Sequence, residues 1–95
     1  VGATVVTGAT VDSRDVVPGD LFGAFPGQHV HGASFAPQAV ALGARAILTD
    51  AEGAKDASHL GVPVLIAADA RAAMGEAAAL IYGDPSGRLT VVGVT

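Results

Sequence analysis

The chain has 95 residues, a formal net charge of −4 and no cysteine, so it holds one small domain and excludes disulfides and cysteine-based zinc or iron–sulfur centres. Its five cations, Arg14, Arg45, Lys55, Arg71 and Arg88, form no basic stripe able to follow a nucleic-acid backbone. No apolar run approaches the ~20 residues a bilayer requires and no basic-then-apolar leader opens the chain, so a soluble cytoplasmic domain binding neither membrane nor nucleic acid is expected.

The first stretch, Val1–Val6 and Gly8–Val11, is β-branched and broken by glycines, which predicts one or two short strands with a bend. Asp12-Ser13-Arg14 follows at a strand end. Pro18-Gly19 is a turn dipeptide, Leu21–Phe25 an apolar interior strand, and Pro26-Gly27 its close. Ser34 is a candidate N-cap for a helix carrying Phe35, Ala39 and Leu42, with Pro37 tolerated in the first turn and Gly43 as the stop.

Ala46–Thr49 and Val62–Ile66 predict two further strands, separated by a polar connection from Asp50 to Leu60 with room for a helical turn. Asp69 should cap the longest helix, which runs to about Tyr82, places Ala73, Met74, Ala77 and Ile81 on one face, and ends at Gly83 before an Asp84-Pro85-Ser86-Gly87 turn. Leu89–Thr95 reads as a buried strand. The expected fold is α/β: a single domain with a small mixed β-sheet packed with two main helices. Twenty alanines against four aromatic residues imply that helices and sheet approach closely.

The densest polar chemistry lies in residues 12–35. His29-Val30-His31 has the form of a metal pair but no third ligand at matching spacing, so no metal site is expected and partly exposed imidazoles in a loop are preferred. Asp15 and Asp20 sit where turn carboxylates bond the backbone. Arg14 fits either a phosphate clamp or an ion pair with Asp15 or Asp20, the pair being favoured. Ser13 lacks the surroundings of a catalytic nucleophile and suits a ligand hydrogen bond better. The glycine-bounded loop Gly27–Gly32 offers backbone donors and acceptors for a nucleobase edge or an anion. No phosphate-cradling Gly-x-x-x-x-Gly-Lys-Ser/Thr loop occurs.

Val11-Asp12-Ser13-Arg14, Pro18-Gly19-Asp20-Leu21-Phe22, Gly27 through Gly32 with Phe35, and Ala39-x-x-x-Gly43-Ala44-x-Ala46 together resemble the N-terminal domain of the Mur ligases. The resemblance extends over nearly the whole chain, through Val62-Pro63-Val64 and Tyr82–Ser86. Val91–Thr95 resembles the strand that leads into that family's ATP-binding loop. The nearest members are the enzymes that add the third residue of the peptidoglycan stem peptide.

The resemblance implies that residues 1–95 are the substrate-binding domain of an ATP-dependent amide ligase, cut just before its ATP-binding central domain. The partner implied is UDP-N-acetylmuramoyl-L-Ala-D-Glu, held by its UDP moiety, together with the ligase's own central and C-terminal domains. The positions matching the family's UDP contacts are Val11, Ser13, Gln28, His29 and Val30. No catalytic residue is implied within the chain, ATP and Mg2+ being expected only in the full-length enzyme, so the 95-residue chain is expected to be inactive alone. Two other readings fit the same pattern: the ligase that adds D-Ala-D-Ala, which shares Asp-x-Arg and Pro-Gly-Asp-Leu-Phe, and a non-catalytic nucleotide-binding module.

Overall fold

The computed structural model describes residues 3–26 and 31–92. The β-branched N-terminal stretch divides at Thr7 into β1 (Ala3–Val6) and β2 (Gly8–Thr10), and the two halves join different sheets. β2, β3 (Asp20–Gly23), β4 (Ala46–Thr49) and β5 (Val64–Ile66) form a parallel sheet in chain order. β1 pairs antiparallel with β6 (Leu89–Val92), Val5 opposite Thr90. The chain is therefore α/β, with its parallel and antiparallel pairings divided between two sheets. Of the buried strand expected over 89–95, Leu89 is half-buried and Thr90 exposed in this two-stranded ribbon, and 93–95 lie outside the described residues.

Same-handed connections between parallel strands laid down in chain order fall on one face of the sheet. On that face Val16, from the 11–19 connection, packs with Ala36 and Ala39 of α1 (Ala36–Ala41), Ala57 of α2 (Ala51–Ala57), and Phe22 and Ile47 of the sheet. The other face is left to α3 (Ala70–Gly83), whose Met74 and Ile81 meet Leu21, Ala46 and Leu48. Neighbours along a strand point to opposite faces. Because both faces are covered, every residue of β3 and β4 is buried. Full burial of Leu21, Phe22 and Ile47 contributes ~1.5–3 kcal/mol each, while the alanines let the helices lie close to the sheet.

The helices depart from the sequence pattern at two places. The one expected from Ser34 opens with a 3-10 turn over Gly32–Phe35, capped by His31, before α1 begins at Ala36. It ends as predicted at Gly43, whose φ of 109° places it in the left-handed region. The Asp50–Leu60 connection contains a true helix, α2, with Asp50 as its cap: Asp50 Oδ1 accepts from Gly53 N at 2.8 Å. α3 starts on Asp69 as predicted, its Oδ1 accepting from Ala72 N at 3.1 Å. The Asp84–Gly87 turn then closes with Gly87 N donating to Asp84 O at 2.9 Å. No helix among the described residues is long and apolar enough to cross a membrane.

Since β2 to β5 run parallel, their carboxyl ends share one edge. Val11–Ser13 leave β2 there, Ala24–Pro26 leave β3, Asp50 follows β4, and Ala67–Ala70 lead from β5 into α3. In open parallel sheets this is the edge at which ligands are bound.

Candidate functional site at the carboxyl edge of the sheet

At the exit of β2 the chain turns on Asp12. Its main-chain N–H donates to Thr10 Oγ1 at 3.2 Å, and its carbonyl accepts from Asp15 N at 3.0 Å. The carboxylate then grips Arg14: Oδ1 accepts from Arg14 N at 2.9 Å and Nε at 3.1 Å, and Oδ2 from a terminal guanidinium nitrogen at 3.0 Å. This bidentate pair corrects the expected partner of Arg14, which is Asp12 and neither Asp15 nor Asp20. An aspartate two residues upstream reaches both the main chain and the fork of the guanidinium, geometry that Asp15 and Asp20 do not offer. The Arg14 guanidinium holds the Asp12 carboxyl below its usual range, and the carboxylate in turn raises the arginine.

Asp20 serves the turn, as expected: its Oδ2 accepts from Val17 N at 3.1 Å, and its own N–H donates to Val17 O. Of the sequence-derived contact residues on this side, Val11 is 58% exposed and Ser13 only 7%. An apolar side chain thus stands in solvent close to a buried serine, whose hydroxyl takes part in no hydrogen bond among the described residues.

Gln28, His29 and Val30 lie outside the described residues, which resume at His31. Pro26 and His31 form an antiparallel bridge, and Gly32 N donates to Phe25 O at 2.7 Å. Gly32 is required by close approach: a Cβ there would stand 2.8 Å from Phe25 N and 3.2 Å from Ala24 Cα.

The imidazole of His31 is held at both nitrogens. Nδ1 accepts from Ala33 N at 3.0 Å, which leaves the ring proton on Nε2, 2.9 Å from Asp50 Oδ1. Its side chain is 12% exposed, a partly exposed imidazole as expected, but one with both nitrogens committed, one to the 3-10 turn and one to the cap of α2. The Gly53 N–H is the main influence holding the Asp50 carboxyl below its usual range, with His31 adding to it against the opposing effect of desolvation.

From the other face of the sheet Arg71 donates to Pro26 O at 3.1 Å, with its guanidinium carbon 5.3 Å from the Phe25 ring centroid. Phe25, Pro26, Asp50, Ala68, Asp69, Ala70 and Arg71 line an open cavity of about 310 Å³.

Sequence reading placed His31 in the Gly27–Gly32 loop but not its partner Asp50, and it missed Asp50 and Arg71 as parts of this edge. Asp50 carried a usable signal, an Asp directly before a helix-compatible run. Arg71 carried none, because its partner is 45 residues away in the chain.

Comparison with known proteins places this sequence among relatives. The profile of the family described as "Mur ligase family, catalytic domain" matches residues 5–92. The UDP-N-acetylmuramoyl-L-alanyl-D-glutamate--2,6-diaminopimelate ligase of Streptomyces coelicolor is 52% identical over 94 residues, 99% of this chain and 19% of that protein. The ligase of the same name from Streptomyces avermitilis is 54% identical over 90 residues, 95% of this chain and 18% of that protein. A UDP-N-acetylmuramyl-tripeptide synthetase of Leifsonia xyli subsp. xyli is 46% identical over 90 residues, again 95% of this chain and 18% of its own length. The chain spans about a fifth of the length of these relatives.

Proposed function

This chain belongs to the Mur ligase family, and from that premise we propose that it holds the UDP moiety of UDP-N-acetylmuramoyl-L-Ala-D-Glu in an ATP-dependent ligase that adds the third stem-peptide residue. The names of the Streptomyces relatives support 2,6-diaminopimelate as that residue. We place the domain N-terminal to the ligase's ATP-binding and C-terminal domains, in the cytoplasm, where a nucleotide-linked precursor and ATP are both at hand.

The observation that carries this reading is the adjacency of two strand exits. β2 and β3 pair in parallel with Thr10 opposite Phe22, so Val11 and Ser13 leave the sheet next to the exit that leads towards residues 28–30. The exposed Val11 side chain supplies an apolar surface for a uracil face, and the hydroxyl of the buried Ser13 can donate to or accept from a ligand oxygen. Backbone groups of the neighbouring segment would complete the match to the imide edge of the base.

With a net charge of −4 and Arg14 gripped by Asp12, the domain attracts a pyrophosphate through short-range donors and not through its overall field. Binding this remote handle orients the substrate's distant carboxylate, a contribution of position and not of chemistry.

ATP and magnesium do not fit the residues of this chain. Its one lysine, Lys55, is exposed near the end of α2 and follows Ala54, with no glycine loop to cradle phosphates. The phosphoryl-transfer step therefore belongs to other parts of the ligase.

An NMR titration with UDP, UMP, ADP and CDP tests the reading. UDP should shift residues 11–14 and 27–32 and bind more tightly than ADP. Equal responses to the two diphosphates, or shifts remote from both segments, would refute it.

A further inference from the structure

We propose that the cavity between the carboxyl ends of β4 and β5 is a subsite for the sugar ring that the nucleotide carries, with Asp50, Asp69 and Arg71 as its polar contacts. The inference rests on the UDP reading above and concerns the next group along the substrate.

The cavity lies where the fold divides. β4 and β5 are neighbours, with Thr49 opposite Ile66, yet β4 leads into α2 on one face of the sheet and β5 into α3 on the other. Adjacent strand ends whose chains part to opposite faces leave a crevice between them, and open α/β sheets bind ligands at such a point. Here it encloses about 310 Å³, at the small end of the ~300–1,000 Å³ of ligand sites. That suits one ring and not a whole nucleotide.

The polar groups around it have bonding capacity to spare. Asp50 Oδ1 accepts from Gly53 N and faces His31 Nε2, and Asp69 Oδ1 accepts from Ala72 N. The second oxygen of each carboxylate takes part in no hydrogen bond among the described residues. Arg71 is steadied by Pro26 O at 3.1 Å and by the Phe25 ring, and that hydrogen bond occupies a single terminal nitrogen of its guanidinium. One guanidinium against two carboxylates leaves the lining net negative, which disfavours a phosphate or a carboxylate in the cavity. Uncharged hydroxyls suit it, because the carboxylates accept from them and the guanidinium donates to them.

Position along the edge selects the sugar. β2, β3, β4 and β5 lie side by side in that order, and at ~4.8 Å per strand the crevice stands roughly 10–15 Å from the exit of β2. Val11 and Ser13, at that exit, are the residues assigned above to the uridine end. A ribose and a diphosphate bridge the interval, and in the substrate the sugar follows the diphosphate.

Calorimetry with UDP and with UDP-N-acetylglucosamine, which adds one uncharged sugar ring to UDP, tests this on the unmodified chain, Asp69→Ser and Arg71→Ala, with thermal melts in parallel. Serine caps a helix as aspartate does, so Asp69→Ser keeps the start of α3 and removes the spare oxygen. The unmodified chain should bind the UDP-sugar more tightly than UDP. Each variant should reduce that preference by about 3- to 10-fold, the effect of one hydrogen bond, while its affinity for UDP itself is retained.

Absence of UDP binding by the unmodified chain would overturn the nucleotide reading and this inference with it. Binding of UDP without preference for the UDP-sugar, or a preference that both variants keep, would overturn the sugar subsite alone. A loss equal for the two ligands in Arg71→Ala would also overturn it, by giving Arg71 to the diphosphate they share. Should Arg71→Ala fail to fold, Asp69→Ser decides the matter unaided.

Discussion

The hydroxyl of Tyr82 spans both main-chain groups of Ala9, accepting from its N–H at 3.0 Å and donating to its carbonyl at 3.2 Å. β2 is an outer strand of the parallel sheet, so Tyr82 satisfies polar groups that an edge would otherwise present to another strand. The tyrosine is 67% exposed, which makes the hydroxyl and not ring burial the source of its effect. Tyr82→Phe should cost about 0.5–1.5 kcal/mol, towards the lower end because water reaches the freed groups. Urea denaturation reads this directly, and an unmoved midpoint would deny Tyr82 its role at the edge.

Two helical glycines should respond to alanine with opposite signs. Gly75 lies in the exposed part of α3, and a Cβ there meets nothing within 4 Å, so Gly75→Ala should raise stability by about 1 kcal/mol through helix propensity. Gly53 is buried in α2, where a Cβ would run into Thr49 Oγ1 and the His31 ring. Thr49 cannot give way freely, since its hydroxyl donates to Ala24 O at 2.9 Å. Gly53→Ala should lower stability by about 1–3 kcal/mol, overpacking outweighing propensity. Thermal melts of the two variants moving in the same direction would show that the crowding at Gly53 relaxes at little cost.

The contrast between these glycines also shows what a sequence can and cannot reveal here. β4 was readable because Ala46–Thr49 is a short apolar run bounded by polar residues, and α3 because Asp69 and Gly83 bound a long pattern. α2 was legible as no more than a helical turn because its buried positions are Gly53 and Ala57, residues too small to register as an apolar stripe. The pairing of β1 with β6 joins the two ends of the described chain, and hydrophobicity alone did not separate a ribbon strand from an interior one. At the site, the turn chemistry of Asp20 was legible from Pro18-Gly19 beside it. The partners of His31 and Arg71 were not, since each contact exists only once β3, β4 and β5 are assembled side by side. Val11 was singled out by resemblance alone and Ser13 by its hydroxyl as well, whereas the exposure of the one and the burial of the other required the fold.

Three aspartates give the protein an acid-sensitive component of stability. Asp50 is held below the usual carboxylate range mainly by Gly53 N, Asp84 by the main chain of Ser86 and then its hydroxyl, and Asp12 by Arg14. A carboxyl lowered by folding stabilises the native state fully above its unfolded value, and loses that contribution as pH falls through its folded one. The melting temperature should therefore fall as pH drops below about 4, the ordinary aspartate value. Asp50→Asn keeps an acceptor for Gly53 N but cannot titrate, and should flatten the decline without abolishing it. Identical slopes for this variant and the unmodified chain between pH 5 and pH 2 would remove Asp50 from the account.

Ser13 separates binding from folding most directly. Ser13 is buried in the turn after β2, and among the described residues its hydroxyl takes part in no hydrogen bond. Replacement by alanine nearly preserves side-chain volume and breaks no bond among the described residues, so stability should change by less than about 0.5 kcal/mol. If the hydroxyl meets the nucleotide, Ser13→Ala should weaken UDP binding by about 0.5–1.5 kcal/mol for a neutral partner, and by up to about 3 kcal/mol for a charged phosphate oxygen. The size of the loss thus reports which part of UDP lies beside β2. Calorimetry with UDP and with uridine distinguishes these cases, because a phosphate contact lowers affinity for UDP alone, whereas a base or ribose contact lowers both. A large drop in melting temperature with unaltered affinity would reassign Ser13 to the fold.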